Sequence, residues 1–257
     1  MISTLFERWR QGYRTKAFPP APDSLPDRLR GRPAIDVSKC VDGCTRCLEA
    51  CPVNALTRGP DRGVSMDLGR CLFCGDCVKA CPAGAIRFTP DYRLSTRLRD
   101  DLITDGATLK LAKALDRSAR RLFGRSLKLR QVSAGGCNAC EADTNVLNTL
   151  VFDLARFGIQ FVASPRHADG LLVTGPVTEN MREALIRTWE AVPAPRIVVV
   201  VGACAIAGGP YAGHAEAHGG AAAFVPVDLF IPGCPPHPYT ILDGLLRLLG
   251  HVEDVGA

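Results

Sequence analysis

Twelve cysteines occur in three groups in this 257-residue chain, and the first two groups repeat each other. The second group has the spacing Cys71-x₂-Cys74-x₂-Cys77-x₃-Cys81 and is followed directly by proline. This is the spacing of two-cluster ferredoxins, in which three thiolates bind one iron–sulfur cubane and the fourth binds the neighbouring cubane. The chemistry that these residue types and spacings predict is electron transfer.

The first group, Cys40, Cys44, Cys47 and Cys51, has one more residue in its first gap. Because the fourth cysteine of each group begins a helical turn that points at the other cluster, we predict crossed ligation. The first 4Fe-4S cluster is assigned to Cys40, Cys44, Cys47 and Cys81, and the second to Cys71, Cys74, Cys77 and Cys51. Two alternatives stay open: structural zinc, which also binds Cys-x₂-Cys pairs, and a three-iron cluster at the longer Cys40 loop.

Composition divides the chain into four segments. Residues 1–34 form a basic N-terminal arm whose interleaved aromatic residues favour docking on a membrane surface or a partner subunit over a free tail. Residues 35–90 form a dicluster ferredoxin domain with too little apolar content for a conventional core. Residues 91–126 form a basic linker region, and residues 127–257 a second domain. The apolar spacing around the linker predicts a helix over 107–123, with one stripe formed by Leu111, Leu115, Ala119 and Leu122.

The second domain alternates between predicted strands and helices, which indicates an α/β fold with a mainly parallel sheet. The predicted strands are Leu127–Val132, Ile159–Ala163, Gly170–Thr174, Ile197–Val201 and Phe224–Ile231. The predicted helices run from the turn at Gly136 through Arg156, over Glu179–Val192 and over Pro238–Leu249. Ligands bind beyond the carboxyl ends of the strands in such sheets.

The third cysteine group lies in the loops at those strand ends, beside glycine and proline residues. Its members are Cys137, Cys140, Cys204 and Cys234. Flanking glycines let the backbone approach a cluster and donate N–H groups to its sulfides. The pattern predicts a third 4Fe-4S cluster, so that all twelve cysteines bind iron; the alternative is that Cys204 and Cys234 are ordinary buried cysteines.

The chain resembles two known families, one after the other. Residues 1–100 are similar to two-cluster ferredoxin subunits, a likeness carried by the cysteine repeats, Phe18-Pro19 and Arg30-Gly31-Arg32-Pro33. Residues 127–257 resemble the small subunit shared by NiFe hydrogenases and respiratory complex I, a likeness carried by Phe157-Gly158-Ile159, residues 163–169 and residues 227–236. The resemblance is closest to group 4 membrane-bound hydrogenases such as formate hydrogenlyase. It implies an α+β ferredoxin-like dicluster domain followed by an α/β flavodoxin-like domain.

The resemblance also implies a function. Complex I subunits carry their first two ligands as adjacent cysteines, whereas this chain has the hydrogenase arrangement Cys137-Asn138-Ala139-Cys140-Glu141. We therefore expect an electron-transfer subunit that relays electrons through three 4Fe-4S clusters to or from a separate NiFe catalytic subunit. No complete active site is expected in this chain alone. The alternatives are a complex I-like quinone oxidoreductase subunit, in which the last cluster reduces quinone, and a stand-alone ferredoxin-type carrier.

Two residues near the third group have predicted roles. Glu141 is a candidate proton relay at the interface with the large subunit, and equally a first-turn acid that binds backbone N–H groups. Arg166 is expected near the same interface. The histidines of the glycine-rich segment 208–222, His214 and His218, indicate a surface loop more than a metal site.

Partners and location follow from the same resemblance. The expected partners are a NiFe-hydrogenase or complex I-type large subunit, membrane-anchor subunits and an upstream donor such as a formate dehydrogenase or ferredoxin. No nucleic acid is expected, because the net charge of +5 is mild and no base-reading motif is present. The charged start of the chain predicts no signal peptide, and the longest apolar run, at 197–207, is too short for a transmembrane helix. We expect peripheral association with the cytoplasmic side of the inner membrane.

Overall fold

The computed structural model of the chain describes residues 2–59, 63–106 and 108–252. Its α-helices are α1 (Ile2–Gln11), α2 (Arg46–Glu49), α3 (Asp76–Ala80), α4 (Arg117–Phe123), α5 (Ala139–Val146), α6 (Glu179–Ala191), α7 (Ala203–Ala207) and α8 (Pro238–Leu249). Its strands are β1 (Pro33–Ile35), β2 (Leu56–Arg58), β3 (Val64–Asp67), β4 (Ile86–Phe88), β5 (Ile103–Thr104), β6 (Leu127–Ser133), β7 (Ile159–Phe161), β8 (Gly170–Thr174), β9 (Ile197–Val201) and β10 (Leu229–Ile231). Three parts of the predicted segments lie outside the described residues. They are residue 1 of the predicted arm, residue 107 of the predicted linker helix and residues 253–257 of the predicted second domain.

The cysteine repeats are held between two small antiparallel sheets. Strand β1 pairs with β4, and β3 pairs with both β2 and β5. Each repeat folds as a cysteine loop, a one-turn helix (α2 or α3) and a short strand (β2 or β4). Strand β5 comes from the segment predicted as a linker and extends the ferredoxin sheet, while the four-segment division of the chain stays a prediction.

The second part of the chain is built on a five-stranded parallel sheet with the order β10-β9-β8-β6-β7. Two interior strands, β8 and β9, are buried at every position, as expected for apolar strands that are covered on both faces. Helix α8 packs along the sheet; the ring Nδ1 of His237 accepts from the Tyr239 N–H at its start, and Gly250 ends it with φ +74°. This architecture confirms the predicted fold class, an α+β ferredoxin-like dicluster region followed by an α/β flavodoxin-like domain.

Three predicted elements of the second part are shorter in the structure by two residues or more, and one of them is the strand predicted over Ile159–Ala163, which ends at Phe161. The helix predicted through Arg156 ends at Val146, because a turn follows and Asp153 adopts a left-handed φ of +47°. The strand predicted from Phe224 begins only at Leu229, since Phe224 closes a short 3₁₀ turn and Pro226 lacks an N–H for strand pairing.

The linker helix predicted over 107–123 is also wrong over most of its length. Only Arg117–Phe123 is helical, and the segment before it is irregular. Its backbone N–H groups bond to other parts of the chain, from Ala112 to the Ser95 carbonyl (2.7 Å) and from Leu115 to the Leu248 carbonyl (2.9 Å). Of the predicted stripe, Leu115 packs in the core cluster that contains α8, whereas Leu122 is exposed on α4, so the four residues do not form one buried helical face.

The cysteine-repeat region and the parallel sheet share one core. Met66 and Leu68 of the first part belong to the same buried cluster as Val173 and Val200 of the sheet. In addition, Thr96 forms an antiparallel bridge with Phe230 at the outer edge of β10. The low apolar content of the repeat region is thus supplemented by side chains of the second part, as well as by its cysteine sites.

The N-terminal arm docks on the chain itself along part of its length. The Lys16 N–H donates to the Val151 carbonyl (2.9 Å), and Arg156 donates to the Lys16 carbonyl (2.7 Å). The Phe18 ring lies 6.2–6.4 Å from three aromatic rings, those of Tyr92, Phe157 and Tyr239. The helix α1 that precedes this contact leaves Leu5, Phe6 and Trp9 exposed. Within the described ranges, no helix has the length and apolar character needed to cross a membrane.

Candidate iron–sulfur sites

The first cysteine site combines one loop with a cysteine from the other repeat. The loop before α2 and the turn after α3 surround a pocket, which is lined by Cys40, Cys44, Cys47 and Cys81. Val41 and Ile86 contribute apolar walls. The Ala85 N–H donates to the sulfur of Cys81 (3.3 Å), which orients that side chain. The longer first gap, between Cys40 and Cys44, is accommodated by a turn in which the Cys44 N–H donates to the Val41 carbonyl (3.2 Å).

The second site has the same construction with the repeats exchanged. Its pocket is lined by Cys51, Cys71, Cys74 and Cys77. Two backbone N–H groups donate to its sulfurs, Ala55 to Cys51 (3.2 Å) and Phe73 to Cys71 (3.3 Å). The structure thus brings together both sets of four that the crossed assignment names. Their role as iron ligands stays a prediction.

The third site lies at the carboxyl ends of three parallel strands. Cys137 lies in the loop between β6 and α5, and Cys140 lies in the first turn of α5. Cys204 lies in α7 directly after β9, and Cys234 follows β10. Burial is the main cause that raises the pKa of the Cys140 thiol, and nearby acidic groups raise it further, namely Cys204, Glu141, Cys234 and Cys137. The four thiols therefore share one site. Cys137 and Cys234 are exposed, which places the open side of the site on the protein surface.

Two glycines give the third site its shape. Gly202 has a φ of +92°, and a Cβ added to it would collide with the sulfur of Cys140. A Cβ on Gly209 would lie 2.7 Å from the sulfur of Cys204. Any larger residue at either position would intrude on the thiols, so both glycines are required for the close approach of the backbone to the thiols.

In the second and third sites, burial and the neighbouring cysteines disfavour the thiolate form of the cysteines. Burial and the neighbouring cysteines raise the pKa of Cys71 to about 12 and the pKa of Cys77 to about 11, and burial with neighbouring cysteines also raises the pKa of Cys204 to about 11. In the described part of the chain, no three Cys, His, Asp or Glu side chains converge on the point that a single metal ion would take. The thiols of the first and second sites line pockets, and their spacing in the sequence is that of two-cluster ferredoxins.

The second and third sites are neighbours. The pKa of Cys234 is raised by burial, then by Cys137 of its own site and by Cys74 of the second site. Phe73, which precedes Cys74, lines the same cavity as Cys234. The chain therefore brings one sulfur of the ferredoxin region within electrostatic reach of the third site.

Comparison with known proteins agrees with both halves of this construction. Residues 137–248 match the family described as NADH ubiquinone oxidoreductase, 20 Kd subunit, and residues 39–85 match the 4Fe-4S dicluster domain. A probable membrane-bound hydrogenase subunit of Pyrococcus furiosus is 40% identical over 129 residues, which cover 50% of this chain and 77% of that protein. The chain belongs to the NADH ubiquinone oxidoreductase 20 kDa subunit family. It carries a 4Fe-4S dicluster domain ahead of the family region.

Other relatives of this chain come from both branches of the family, the hydrogenase branch and the NADH-quinone oxidoreductase branch. Formate hydrogenlyase subunit 7 of Escherichia coli is 45% identical over 129 residues, 50% of this chain, and the match spans only about half (51%) of that relative. An NADH-quinone oxidoreductase subunit of Clostridium beijerinckii is 38% identical over 125 residues, 47% of this chain and 74% of that protein. The chain is thus an iron–sulfur component of an oxidoreductase complex.

Glu141 is buried beside the third site. One of its carboxylate oxygens, Oε1, accepts hydrogen bonds from the hydroxyls of Ser133 (2.5 Å) and Thr174 (2.6 Å). These two hydroxyls come from the ends of β6 and β8, so the sheet fixes the carboxylate next to Cys140. Sequence patterns do not reveal this arrangement, because the hydroxyl donors lie 8 and 33 residues away. Its role as a proton relay stays a proposal.

The remaining predicted residues are Arg166 and the histidines of the glycine-rich segment. Arg166 lies on a short 3₁₀ turn, Pro165–His167. The ring of His218 contacts the Glu179 carboxylate at 2.6 Å, and that carboxylate also pairs with Arg182. The glycine-rich loop is therefore tied to α6 by this contact. Sequence patterns did not predict that two arginines, Arg30 and Arg58, donate hydrogen bonds to backbone carbonyls of the cysteine loops.

Proposed function

We propose that this chain relays electrons through three 4Fe-4S clusters to or from a separate NiFe catalytic subunit of a membrane-associated hydrogenase complex. The observation that carries the proposal is the grouping of twelve cysteines into three sets of four, with Cys74 of the second set within electrostatic reach of Cys234 of the third. A bound 4Fe-4S cluster takes up and gives back one electron at a time.

The proposed path runs in one line through the chain. The first and second sites exchange their fourth ligands, Cys81 and Cys51, so each is held by loops of both repeats. Phe73 and Cys74 connect the second site to Cys234 of the third. Apolar side chains of the shared core exclude water from the inner sides of the sites. This chain's residues bind and insulate the clusters, and no residue of it is proposed to perform hydrogen chemistry, because all twelve cysteines are already assigned.

The open side of the third site is the proposed docking face for the catalytic subunit. Cys137 and Cys234 are exposed, and the loop around Cys234 is rich in proline and glycine. An uncovered cluster would be open to oxidation there, and electron transfer onward requires a nearby acceptor. Arg166 and the buried Glu141 are proposed to lie near this interface, with Glu141 held by its two hydroxyl partners to accept or give a proton at Oε2 or Oε1.

A second function rests on the quinone-reducing branch of the family. NADH-quinone oxidoreductase subunits are among the relatives, and in such a complex the last cluster would reduce quinone. The Cys137-x₂-Cys140 spacing favours the hydrogenase branch instead, because subunits of the complex I branch are expected to carry adjacent cysteines at this point. A free carrier is disfavoured by the exposed thiol loops, which need a covering partner.

Membrane association is proposed to be peripheral, on the cytoplasmic side. Helix α1 exposes Leu5, Phe6 and Trp9 together with Arg8 and Arg10, a composition typical of helices that lie on a membrane surface or against a membrane subunit. The membrane-anchor subunits and the upstream donor, a formate dehydrogenase or a ferredoxin, are proposed from the same likeness.

The proposal is tested by purifying the native complex and measuring hydrogen turnover. We expect a nickel-containing large subunit to copurify, and the variant Cys234→Ala to lose hydrogen-linked electron transfer by about a hundredfold or more, because it removes a ligand on the only proposed path. The exposed variant Arg187→Ala, on the outer face of α6, serves as the matched control and should keep full activity. Copurification of a large subunit without nickel, with quinone reduction in place of hydrogen turnover, would favour the second function.

A further inference from the structure

Arg30 lies at the junction of the second and third sites. Its Nη1 donates to the carbonyls of Phe73 (2.9 Å) and Cys74 (2.7 Å). A Cβ built on Gly75 would lie 3.5 Å from the Arg30 Cζ, so the guanidinium covers the turn that begins α3. The side chain also lines the cavity that contains Cys234. A guanidinium is protonated at every working pH, so a permanent positive charge stands beside the second site.

Close backbone packing fixes the position of Arg30. The Gly31 N–H donates to the Thr89 carbonyl (2.8 Å), and the Arg32 N–H donates to the Asp91 carbonyl (2.8 Å). A Cβ on Gly31 would lie 2.9 Å from the Thr89 oxygen and 2.6 Å from the Asp91 carbonyl carbon. The glycine is thus required for close packing against the strand end after β4, and this packing directs the preceding arginine at the cysteine loop.

The first site has a weaker counterpart of this contact. Arg58 donates from Nη2 to the carbonyl of Cys44 at 3.3 Å, and Cys44 occupies the position in the first repeat that Cys74 occupies in the second. The residue equivalent to Arg58 in the second repeat is Phe88, thirty positions later. The second repeat therefore lacks an arginine of its own at this position, and the N-terminal arm supplies Arg30 with two shorter hydrogen bonds.

We propose that Arg30 is a positioning residue that raises the reduction potential of the second cluster above that of the first, so that an electron is stabilised on the cluster next to Cys234. This inference rests on the proposed function, because it requires both ferredoxin clusters. One electron that leaves the first cluster adds one negative charge at the second, Arg30 stays protonated, and no proton moves. A nearby positive charge and hydrogen bonding to the cluster loop both stabilise that added charge.

The test is a potentiometric titration of the anaerobically purified complex, followed by electron paramagnetic resonance. In Arg30→Gln we expect the ratio of reduced to oxidised second cluster at a fixed potential to fall about tenfold, which is about 59 mV for a one-electron couple. Arg30→Lys keeps the positive charge and should restore most of the wild-type potential. Arg58→Gln is the matched control, since it should shift only the first cluster, and by less.

Four results would overturn the inference. The first is an unchanged potential of the second cluster in Arg30→Gln with both clusters present, and the second is a shift of both clusters by the same amount in that variant. The third is a shift in Arg30→Lys as large as the shift in Arg30→Gln. The fourth is loss of the second cluster in Arg30→Gln while Arg58→Gln keeps both clusters. The last result would assign Arg30 a purely structural role. Failure of the proposed function itself is distinguishable, because it would appear in the wild-type complex, either as absence of hydrogen turnover or as absence of the two ferredoxin cluster signals, whereas failure of this inference appears only in the potentials of the Arg30 variants.

Discussion

At the scale of single residues, the thiolate form of the cysteines is unfavourable in the buried sites, and the protein's own hydrogen bonds do not offset this cost. Burial raises the pKa of Cys71 to about 12, and the hydrogen bond from the Phe73 N–H lowers it only in part. Four thiolates in one buried space would also repel each other, as the raised pKa of Cys140 beside three cysteines indicates. Bound iron would supply positive charge, so loading of each proposed cluster would release thiol protons and be favoured at neutral to mildly alkaline pH.

The crossed ligation makes a prediction at this scale. We expect Cys51→Ser to disturb the cluster held by Cys71, Cys74 and Cys77, and to leave the cluster of its own loop intact, because Cys51 lines the second cavity. Cys81→Ser is the mirror control and should disturb the cluster of Cys40, Cys44 and Cys47. Electron paramagnetic resonance of the two reduced variants distinguishes the clusters. An altered first cluster and an intact second cluster in Cys51→Ser would show that the assignment is wrong.

At the scale of secondary-structure elements, sequence patterns predicted most of the framework around the sites. Strands β8 and β9 and helix α8 have the predicted bounds, because their apolar runs are long, regular and ended by glycine or a turn. The strand ends after β6, β9 and β10 could also be anticipated, and with them the meeting of Cys137, Cys140, Cys204 and Cys234.

Elements whose backbone bonds to distant parts of the chain were not predictable from local patterns. The segment before α4 has helical apolar spacing, yet its N–H groups bond to Ser95 and Leu248. The contacts of Arg30 and Glu141 have the same origin, since their partners lie 43 and 33 residues away in the sequence. Local periodicity describes one face of an element, whereas these contacts depend on which elements become neighbours.

Helix α8 contains a buried ion pair that gives the fold a pH dependence. Arg247 Nε donates to the Asp243 carboxylate at 2.7 Å, and both side chains are almost fully buried. Burial raises the pKa of Asp243 to about 6 in spite of Arg247, from an ordinary value of 3.8. The folded protein therefore binds this proton more tightly than the unfolded chain does. The resulting stabilisation is complete below the unfolded pKa and is lost as the pH rises through about 6.

Thermodynamic measurement of Asp243→Asn tests this effect. Between about pH 4.5 and about pH 7 we expect the free energy of unfolding of the wild-type protein to fall by about 2 kcal/mol relative to the variant, which lacks the titrating group. Anaerobic denaturant titrations at several pH values provide the comparison. A difference between the two proteins that does not change with pH would contradict the raised pKa of Asp243.

At the scale of the whole molecule, the ferredoxin region and the 20 kDa subunit region form one unit. Their shared core includes Met66, Val173 and Val200, and the bridge between Thr96 and Phe230 continues the sheet toward the cysteine repeats. This packing fixes the second site next to the third. A fused chain of this kind keeps its proposed electron path within one folded unit and leaves the exposed edge at Cys137 and Cys234 for a catalytic partner.

The central claim is that all twelve cysteines bind three 4Fe-4S clusters. The most direct measurement is the iron and acid-labile sulfide content of the anaerobically purified protein. We predict about twelve irons and as many sulfides per chain, four of each from every cluster. About eight irons, or stoichiometric zinc with little iron, would contradict the claim.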